Sequence, residues 1–373
     1  MLTLTELSVL SNKSLPMVTA IVNDLIDEGY VCESGLAPST GGRRASTFLL
    51  NPEKKRFVVA VAMDQLVTQM AIYDLLNEEQ GSIQTLSLKL SDEEQAFEKL
   101  VHFIKNNISE SGISKENLLG VGIGMPGFIN ARKGANHSFF NLNDGGTLAN
   151  SLNKELDLPV FIDNDSSLIA QAELKFGVGK GYEDVMVVNF GWGVGLGMVI
   201  NGKLFRGHSG YAGEFSHIPL SNTNKLCSCG KRGCLEVETS LLVLVDRART
   251  EMAMGATSRM ESLFADARQL AGDHLLAAAK NGDPLAVSIL SDAAFLIGKG
   301  LSTLIHIMNP ELIILGGRGA MAGKILMAPV QQAINEFCIP RLAEHTTIVV
   351  SEIGHMSELL GAATLVIENC EFK

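Results

Sequence analysis

Two spacings organise the apolar residues of this chain. Near the N-terminus they follow a helical period. Leu4, Leu7 and Leu10 stand three apart and predict a short helix over Thr3–Leu10. Ser11-Asn12-Lys13 reads as a turn, and Ser14 as the cap of a second helix, Leu15–Glu28, with Pro16 in its first turn. Val18, Ile21, Val22 and Leu25 form the apolar stripe of that helix, and Met17, Thr19, Ala20 and Asn23 lie on the opposite face. Gly29 ends it. Tyr30–Glu33 and Thr47–Leu50 then read as strands joined by a polar loop that carries Arg43 and Arg44. Helix, turn, helix and an arginine-tipped hairpin together make a winged helix-turn-helix pattern. Such a unit places its second helix in a major groove and its arginines against phosphate or a minor groove. A small helical cap with a hairpin would look much the same.

Beyond residue 56 the pattern changes to short apolar runs, each ending in polar or glycine residues. Arg56–Ala62 and Val67–Leu75 predict paired strands, Leu118–Gly124 a buried strand, and Pro159–Ile162 a strand ending in Asp163-Asn164-Asp165. Asp184–Asn189 predicts a strand, Gly191–Gly197 a glycine turn, Met198–Asn201 a second strand, and Ile305–Gly317 a further strand entering another glycine turn. Strands alternating with helices predict an α/β chain, and open α/β sheets put their chemistry at strand ends. The expected units are residues 1–53, 54–165 (completed by a C-terminal helix over 357–373) and 166–356.

Composition sharpens this. With 46% hydrophobic and 19% charged residues the chain should fold into packed cores. The net charge of −11 excludes a uniformly basic nucleic-acid coat, and 6% aromatics make a poor base-stacking platform. Residues 1–56 are neutral, with 6 basic and 6 acidic residues, so the rest of the chain carries the −11. The N-terminus has no signal-peptide pattern, and the most apolar stretch, about 289–308, is interrupted by Asp292 and Lys299. A cytoplasmic protein without a membrane partner is expected.

Six cysteines are too few for a disulfide scaffold, but Cys227, Cys229 and Cys234 crowd together and His217 is close by. Tetrahedral zinc takes four nitrogen or thiolate ligands, so these four predict a structural zinc site, with His217 the least fixed by spacing. Free thiols are the alternative. Cys32, Cys338 and Cys370 are isolated among apolar residues and read as core thiols.

Taken together, these pieces resemble the ROK family of repressors, open reading frames and sugar kinases. The resemblance rests on the spaced glycines of Val188–Gly213, on Gly213-Glu214-Phe215-Ser216-His217 and on the element Cys227–Glu236. It implies a two-domain actin-like, hexokinase-like ATPase fold of the ribonuclease H-like class, behind the winged helix-turn-helix module. It also makes His217 the fourth zinc ligand. Carried over by position, the sugar site would comprise Asn164, Asp165, Glu214, His217 and Glu236, extended by Gly127 and Asn141. In a kinase the residue matching Asp165 is the general base. The N-terminal module is similar to that of the N-acetylglucosamine and xylose repressor branch. Family repressors begin with a further helix, so the resemblance implies that the first helix is missing here. Either the start lies downstream of the natural one or DNA binding is impaired.

The departures separate regulator from kinase. The kinase phosphate loop Asp-x-Gly-Gly-Thr reads here Asp64-Gln65-Leu66-Val67-Thr68, without its glycines. The second phosphate turn, Gly-Thr-Gly, reads Gly191-Trp192-Gly193. Gly316 and Gly317, matching the adenosine end, survive. Phosphoryl transfer is mostly positioning and charge stabilisation, so ATP binding is not expected. The reading is a sugar-responsive DNA-binding regulator, a repressor of carbohydrate metabolism, acting as a homodimer or homotetramer on operator DNA with a sugar or sugar phosphate as effector. The alternatives are an ATP-dependent sugar kinase and a sugar-binding protein that does neither.

Overall fold

The computed structural model describes residues 1–38, 44–90, 93–140, 146–266 and 269–370. Two five-stranded sheets dominate. The first runs, edge to edge, Gln84–Ser87, Val67–Asp74, Phe57–Met63, Leu118–Met125, Val160–Asn164. The second runs Lys203–Leu204, Val194–Ile200, Val185–Phe190, Leu312–Gly316, Thr347–Val350. Counted in chain order, both sheets have the strand order 3-2-1-4-5. In each, the first three strands are antiparallel and strands 1, 4 and 5 are parallel. The repeated order defines two α/β halves of the ribonuclease H-like kind. Phe57–Met63 is buried at every position, as a central strand covered on both faces must be.

Two helices cover the inner faces of the sheets and pack on each other: Asp165–Phe176 lies on Val185–Phe190 and Val194–Ile200, and Ser357–Asn369 lies on Phe57–Met63 and Leu118–Met125. Glycine makes both contacts close. A Cβ at Gly122 would come within 2.1 Å of the Ala362 carbonyl oxygen, and one at Gly197 within 2.3 Å of the Ser166 carbonyl oxygen. This corrects the turn expected over Gly191–Gly197. The bend is confined to Gly191–Gly193, and Gly195 and Gly197 belong to the strand beginning at Val194. Their glycine identity is required by helix packing, not by a phosphate.

Helix Pro284–Met308 also differs from expectation: it takes in Ile305–Met308, expected as strand, and the strand is Leu312–Gly316. The helix is long and apolar enough to cross a membrane, because Asp292 and Lys299 do not lower its hydropathy enough. It is a core helix: 56% of its most apolar window is buried, and it packs along helix Lys324–Phe337.

At the N-terminus, helix Leu4–Ser11 is capped by Thr3 in a reciprocal box with Glu6, so Thr3 stands outside the helix. Asn12, at φ 50°, makes the turn. Helix Leu15–Asp27 follows Ser14, whose side chain makes no capping bond. Val31–Leu36 and Ser46–Leu50 form the hairpin, and Leu2–Thr3 adds an unforeseen third strand beside Thr47 and Phe48. Val18 and Val22 are buried at spacing four, but Ile21 is 39% exposed and not part of the packed stripe. The first helix buries none of its residues, and Val9 and Leu10 are 76% and 71% exposed.

Candidate functional site

The C-terminal ends of the central strands face a cleft of about 970 Å³ between the two sheets. Strand Val160–Asn164 delivers Asp163, Asn164 and Asp165 to its floor. Asn164 caps helix Asp165–Phe176: its Oδ1 accepts from the Ser166 and Ser167 N–H groups at 3.1 and 3.2 Å, and its Nδ2 donates to the Gly127 carbonyl at 3.4 Å. Asp165 Oδ1 accepts from Ser166 N at 2.7 Å, and its Oδ2 accepts from Asn189 Nδ2 at 3.1 Å. Gly127 holds φ at 101°, and a Cβ there would meet the Ser138 side chain at 2.6 Å. The glycine thus lets the Met125–Phe128 bend reach Asn164.

Glu214, His217 and Glu236 come from the other half and line the same cleft. Glu214 Oε2 lies 3.7 Å from His217 Nε2. Burial is the largest cause raising Asp165 to about 6, aided by the charges of Asp64 and Glu236. Burial likewise raises Glu214 to about 7, with Asp165 and Glu236 adding to it. Glu236 is raised by burial, against the opposing pull of His217. The arrangement places hydrogen-bond acceptors, an amide and an imidazole around one space, which suits a polyol.

The opposite end of the cleft is closed on itself. Asp64 Oδ1 accepts from the N–H groups of both Leu66 and Val67 at 2.7 Å. Those are amides a phosphate loop would present. Thr68 is wholly buried in strand Val67–Asp74 and does not line the cleft, which corrects its place among the nucleotide-site residues. Alternation along the strand turns it into the core. Trp192 is only 4% exposed and fits against Gly272, where a Cβ would come within 2.6 Å of its ring. Arg318 lies over the indole, 5.6 Å from the ring centroid, and binds both oxygens of Asp273 at 2.7 and 2.9 Å. It also reaches Asp64 across the cleft at 3.7 Å. The Gly191 N–H donates to the Gly193 carbonyl at 2.9 Å. Of Gly316 and Gly317, only Gly317 lines the cleft; Gly316 ends its strand in the core.

The metal candidates converge. One ligand atom from each of His217, Cys227, Cys229 and Cys234 lies within 4.8 Å of the other three. Cys227 Sγ is 3.6 Å from His217 Nδ1, and Cys229 Sγ is 3.6 Å from Cys234 Sγ. Zinc bonds of about 2.0–2.3 Å in a tetrahedron space ligand atoms roughly 3.3–3.8 Å apart, so the donor set fits that ion. Gly230 and Gly233, at φ 81° and 75°, allow the tight loop.

Several neighbours of this site escaped the reading of the sequence. Phe128, His137 and Tyr211 form an aromatic rim at the cleft, with Phe128 6.1 Å from Tyr211 and 6.2 Å from His217 between centroids. Asp163, expected only as part of a strand end, is almost wholly buried and takes a two-point pair from Arg206 at 2.8 and 2.5 Å, which ties the two halves together. Glu358 enters from the C-terminal helix and accepts from Met63 N at 3.2 Å. Burial, Asp165 and Asp64 push its carboxyl well up. Asn141 and Arg43 lie outside the described residues. In the N-terminal module Met17, Ala20, Asn23 and Arg44 are exposed. Thr19 is half-buried and its hydroxyl donates to the Leu15 carbonyl at 2.8 Å, so it faces its own helix.

Two ribonuclease H-like halves, a carboxylate-lined cleft and an adjoining Cys₃His cluster define the class of sugar kinases and their regulatory kin. The ROK family profile matches residues 68–369. The chain belongs to the ROK family. A xylose repressor of Caldicellulosiruptor bescii is 27% identical over 98% of this chain and 91% of its own length. A glucokinase of Halalkalibacterium halodurans is 33% identical over 68% of this chain and 77% of its own. Among solved structures, a ROK family transcriptional regulator homologous to the Escherichia coli MLC protein superposes with a TM-score of 0.78 at 24% identity, covering 98% of this chain and 91% of that one. A Streptomyces griseus ROK glucokinase in complex with glucose and AMPPNP gives 0.73 at 26% identity, covering 84% of this chain and all of its own.

Proposed function

We propose that this protein is a sugar-responsive, DNA-binding transcriptional regulator, acting as a repressor of carbohydrate metabolism, that binds sugar in the cleft without phosphorylating it. The observation that carries the reading is the asymmetry of the cleft. Its carboxylate end is open to a ligand, while the Leu66 and Val67 amides are held by Asp64 at the other. The likeness to xylose repressors, which extends through the N-terminal module, supports it. The units are residues 1–53, 54–165 with 357–373, and 166–356. Met17, Ala20, Asn23, Arg43 and Arg44 meet DNA; Asn164, Asp165, Glu214, His217, Glu236, Gly127 and Asn141 meet the sugar. The protein works in the cytoplasm as a homodimer or homotetramer. Closure of the cleft on sugar changes the spacing of paired DNA-reading modules; a coupling of about 1–3 kcal/mol changes DNA affinity roughly 5–150-fold.

The test is selection of genomic fragments by the full chain, followed by anisotropy titration of the best fragment with and without sugars. The reading requires retention that weakens steeply with salt and shifts with a sugar. Failure to retain any fragment would reject it.

We also infer that His217, Cys227, Cys229 and Cys234 hold one structural zinc ion. Zinc there would fix the loop that carries Glu236 and orient His217 towards the sugar. Elemental analysis of protein purified without chelator should give one zinc per chain.

A kinase is the second reading, favoured by the raised carboxyl of Asp165 at the position of a general base. It predicts sugar-dependent ADP release that Asp165→Asn abolishes.

A further inference from the structure

Resting on the sugar-binding reading, we infer that the cleft takes an uncharged sugar and rejects the same sugar carrying a phosphate ester. Seven carboxyl groups and two guanidinium groups, with no lysine, line the cleft among the described residues. Both guanidinium groups are already committed. Arg206 is paired at two points with buried Asp163. Arg318 gives Nη1 to both oxygens of Asp273 and turns Nη2 towards Asp64 at 3.7 Å.

A phosphate can also be held by backbone N–H groups at a turn or helix N-terminus. Here several of those groups already have partners. Leu66 and Val67 donate to Asp64. Ser166 and Ser167, in the first turn of helix Asp165–Phe176, donate to the side chain of Asn164, and Ser166 also to Asp165. Gly191 donates to Gly193. An anion arriving beside Asp165 would therefore meet backbone amides whose protons are already given to Asn164 and Asp165. It would share the space with Asp64 and Glu236, whose charges are felt at Asp165. Like charges brought together in a partly desolvated site are strongly disfavoured.

An uncharged sugar meets the opposite situation. Each hydroxyl is a donor, and a carboxylate can accept more hydrogen bonds than the cleft groups already receive. The same carboxylates that repel an ester accept these donors.

The experiment is isothermal titration of the full chain with three pairs: D-glucose, N-acetylglucosamine and D-xylose, each beside its monophosphate ester. For whichever sugar binds, the ester should bind at least ~10-fold more weakly. An ester that binds equally well or better overturns the inference and leaves the sugar-binding reading intact. Binding of neither member of any pair overturns the sugar-binding reading and the inference with it. Asp273→Asn gives an independent readout, because it releases Arg318 to meet an anion. The gap between sugar and ester should narrow at least threefold in that variant, with circular dichroism confirming the fold. An unchanged gap in a folded variant would overturn the role given to the Arg318–Asp273 pair.

Discussion

The two ends of the cleft are framed alike, by strand ends from sheets of identical strand order, but their polar groups are used differently. At the carboxylate end the backbone amides of Ser166 and Ser167 are capped by Asn164, which leaves Asp165, Glu214 and Glu236 facing the space. At the other end the amides of Leu66 and Val67 are held by Asp64, Arg318 is held by Asp273, and Trp192 is packed against Gly272. One end presents carboxylates with acceptor capacity to spare; the other uses the Leu66 and Val67 amides and Nη1 of Arg318 internally. A ligand site can thus be closed without being filled, because each internal hydrogen bond would have to be broken before a phosphate could replace it.

The strongest way to break this contrast is through the metal. Cys234 is wholly buried and His217 joins the metal cluster to the cleft, so losing the ion should disturb the carboxylate end and leave the other intact. Cys234→Ser, or chelation, should lower the melting temperature by roughly 4–12 °C, a loss of roughly 2–3 kcal/mol at ~2–4 °C per kcal/mol for a chain of this order of size. Sugar-dependent stabilisation should vanish with it. Calorimetry that shows sugar binding unchanged after zinc removal would separate Glu236 and His217 from the metal.

Next in size is Asp165→Asn. The change keeps the shape and removes a charged acceptor, and hydrogen bonds to charged groups contribute about 1.5–3 kcal/mol. Sugar affinity should fall roughly 10–100-fold by titration, while affinity for the selected DNA fragment without sugar stays as in the parent. If DNA binding falls equally, Asp165 is a folding residue and not a ligand residue.

A smaller effect tests the closed end. Trp192→Thr restores the hydroxyl of the kinase turn but leaves Leu66 and Val67 bonded to Asp64. A coupled assay should therefore show no sugar-dependent ADP release from the parent or the variant. The variant should lose about 3 kcal/mol of stability, since truncating a buried aromatic costs about 3–5 kcal/mol. Turnover in the variant would show that the turn alone decides activity.

How much of this was legible depends on the range over which residues act. The second helix, the strand runs, the cysteine cluster and the triplet Asp163-Asn164-Asp165 are local patterns, and the structure places them close to where spacing puts them. The glycines at 195 and 197 were misassigned because their cause, helix Asp165–Phe176 lying on the strand, is not local. Ile21 joined the wrong face because periodicity shows a stripe but not how much of it the rest of the module can cover. Arg318 reaches Asp64, Asp273 holds Arg318, and Glu358 feels Asp64 and Asp165, all from distant segments, so no spacing could connect them. Phe128, His137 and Tyr211 carry no motif of their own. Their role follows only from their shared position at the cleft.

The smallest effect concerns pH. Asp165 titrates at about 6 and Glu214 at about 7 in the folded chain, both above the ordinary carboxyl range. A raised folded value means that the folded state holds the proton more tightly than the unfolded one. The stabilisation from these two groups is fully present below about pH 4, the unfolded value, and is lost as pH rises through about 6 and 7. The melting temperature without sugar should therefore contain a component that declines between about pH 5 and pH 8, modest because the Glu214 side chain is 41% exposed and screened. Glu214→Gln should flatten the upper part of that decline, near pH 7, and Asp165→Asn the lower part, near pH 6. The closed end gives a control. Asp273 makes its hydrogen bonds with Arg318 and none with Asp165 or Glu214, so Asp273→Asn should leave the slope between pH 5 and pH 8 unchanged. A slope that instead follows Asp273→Asn would place the titrating groups at the wrong end of the cleft.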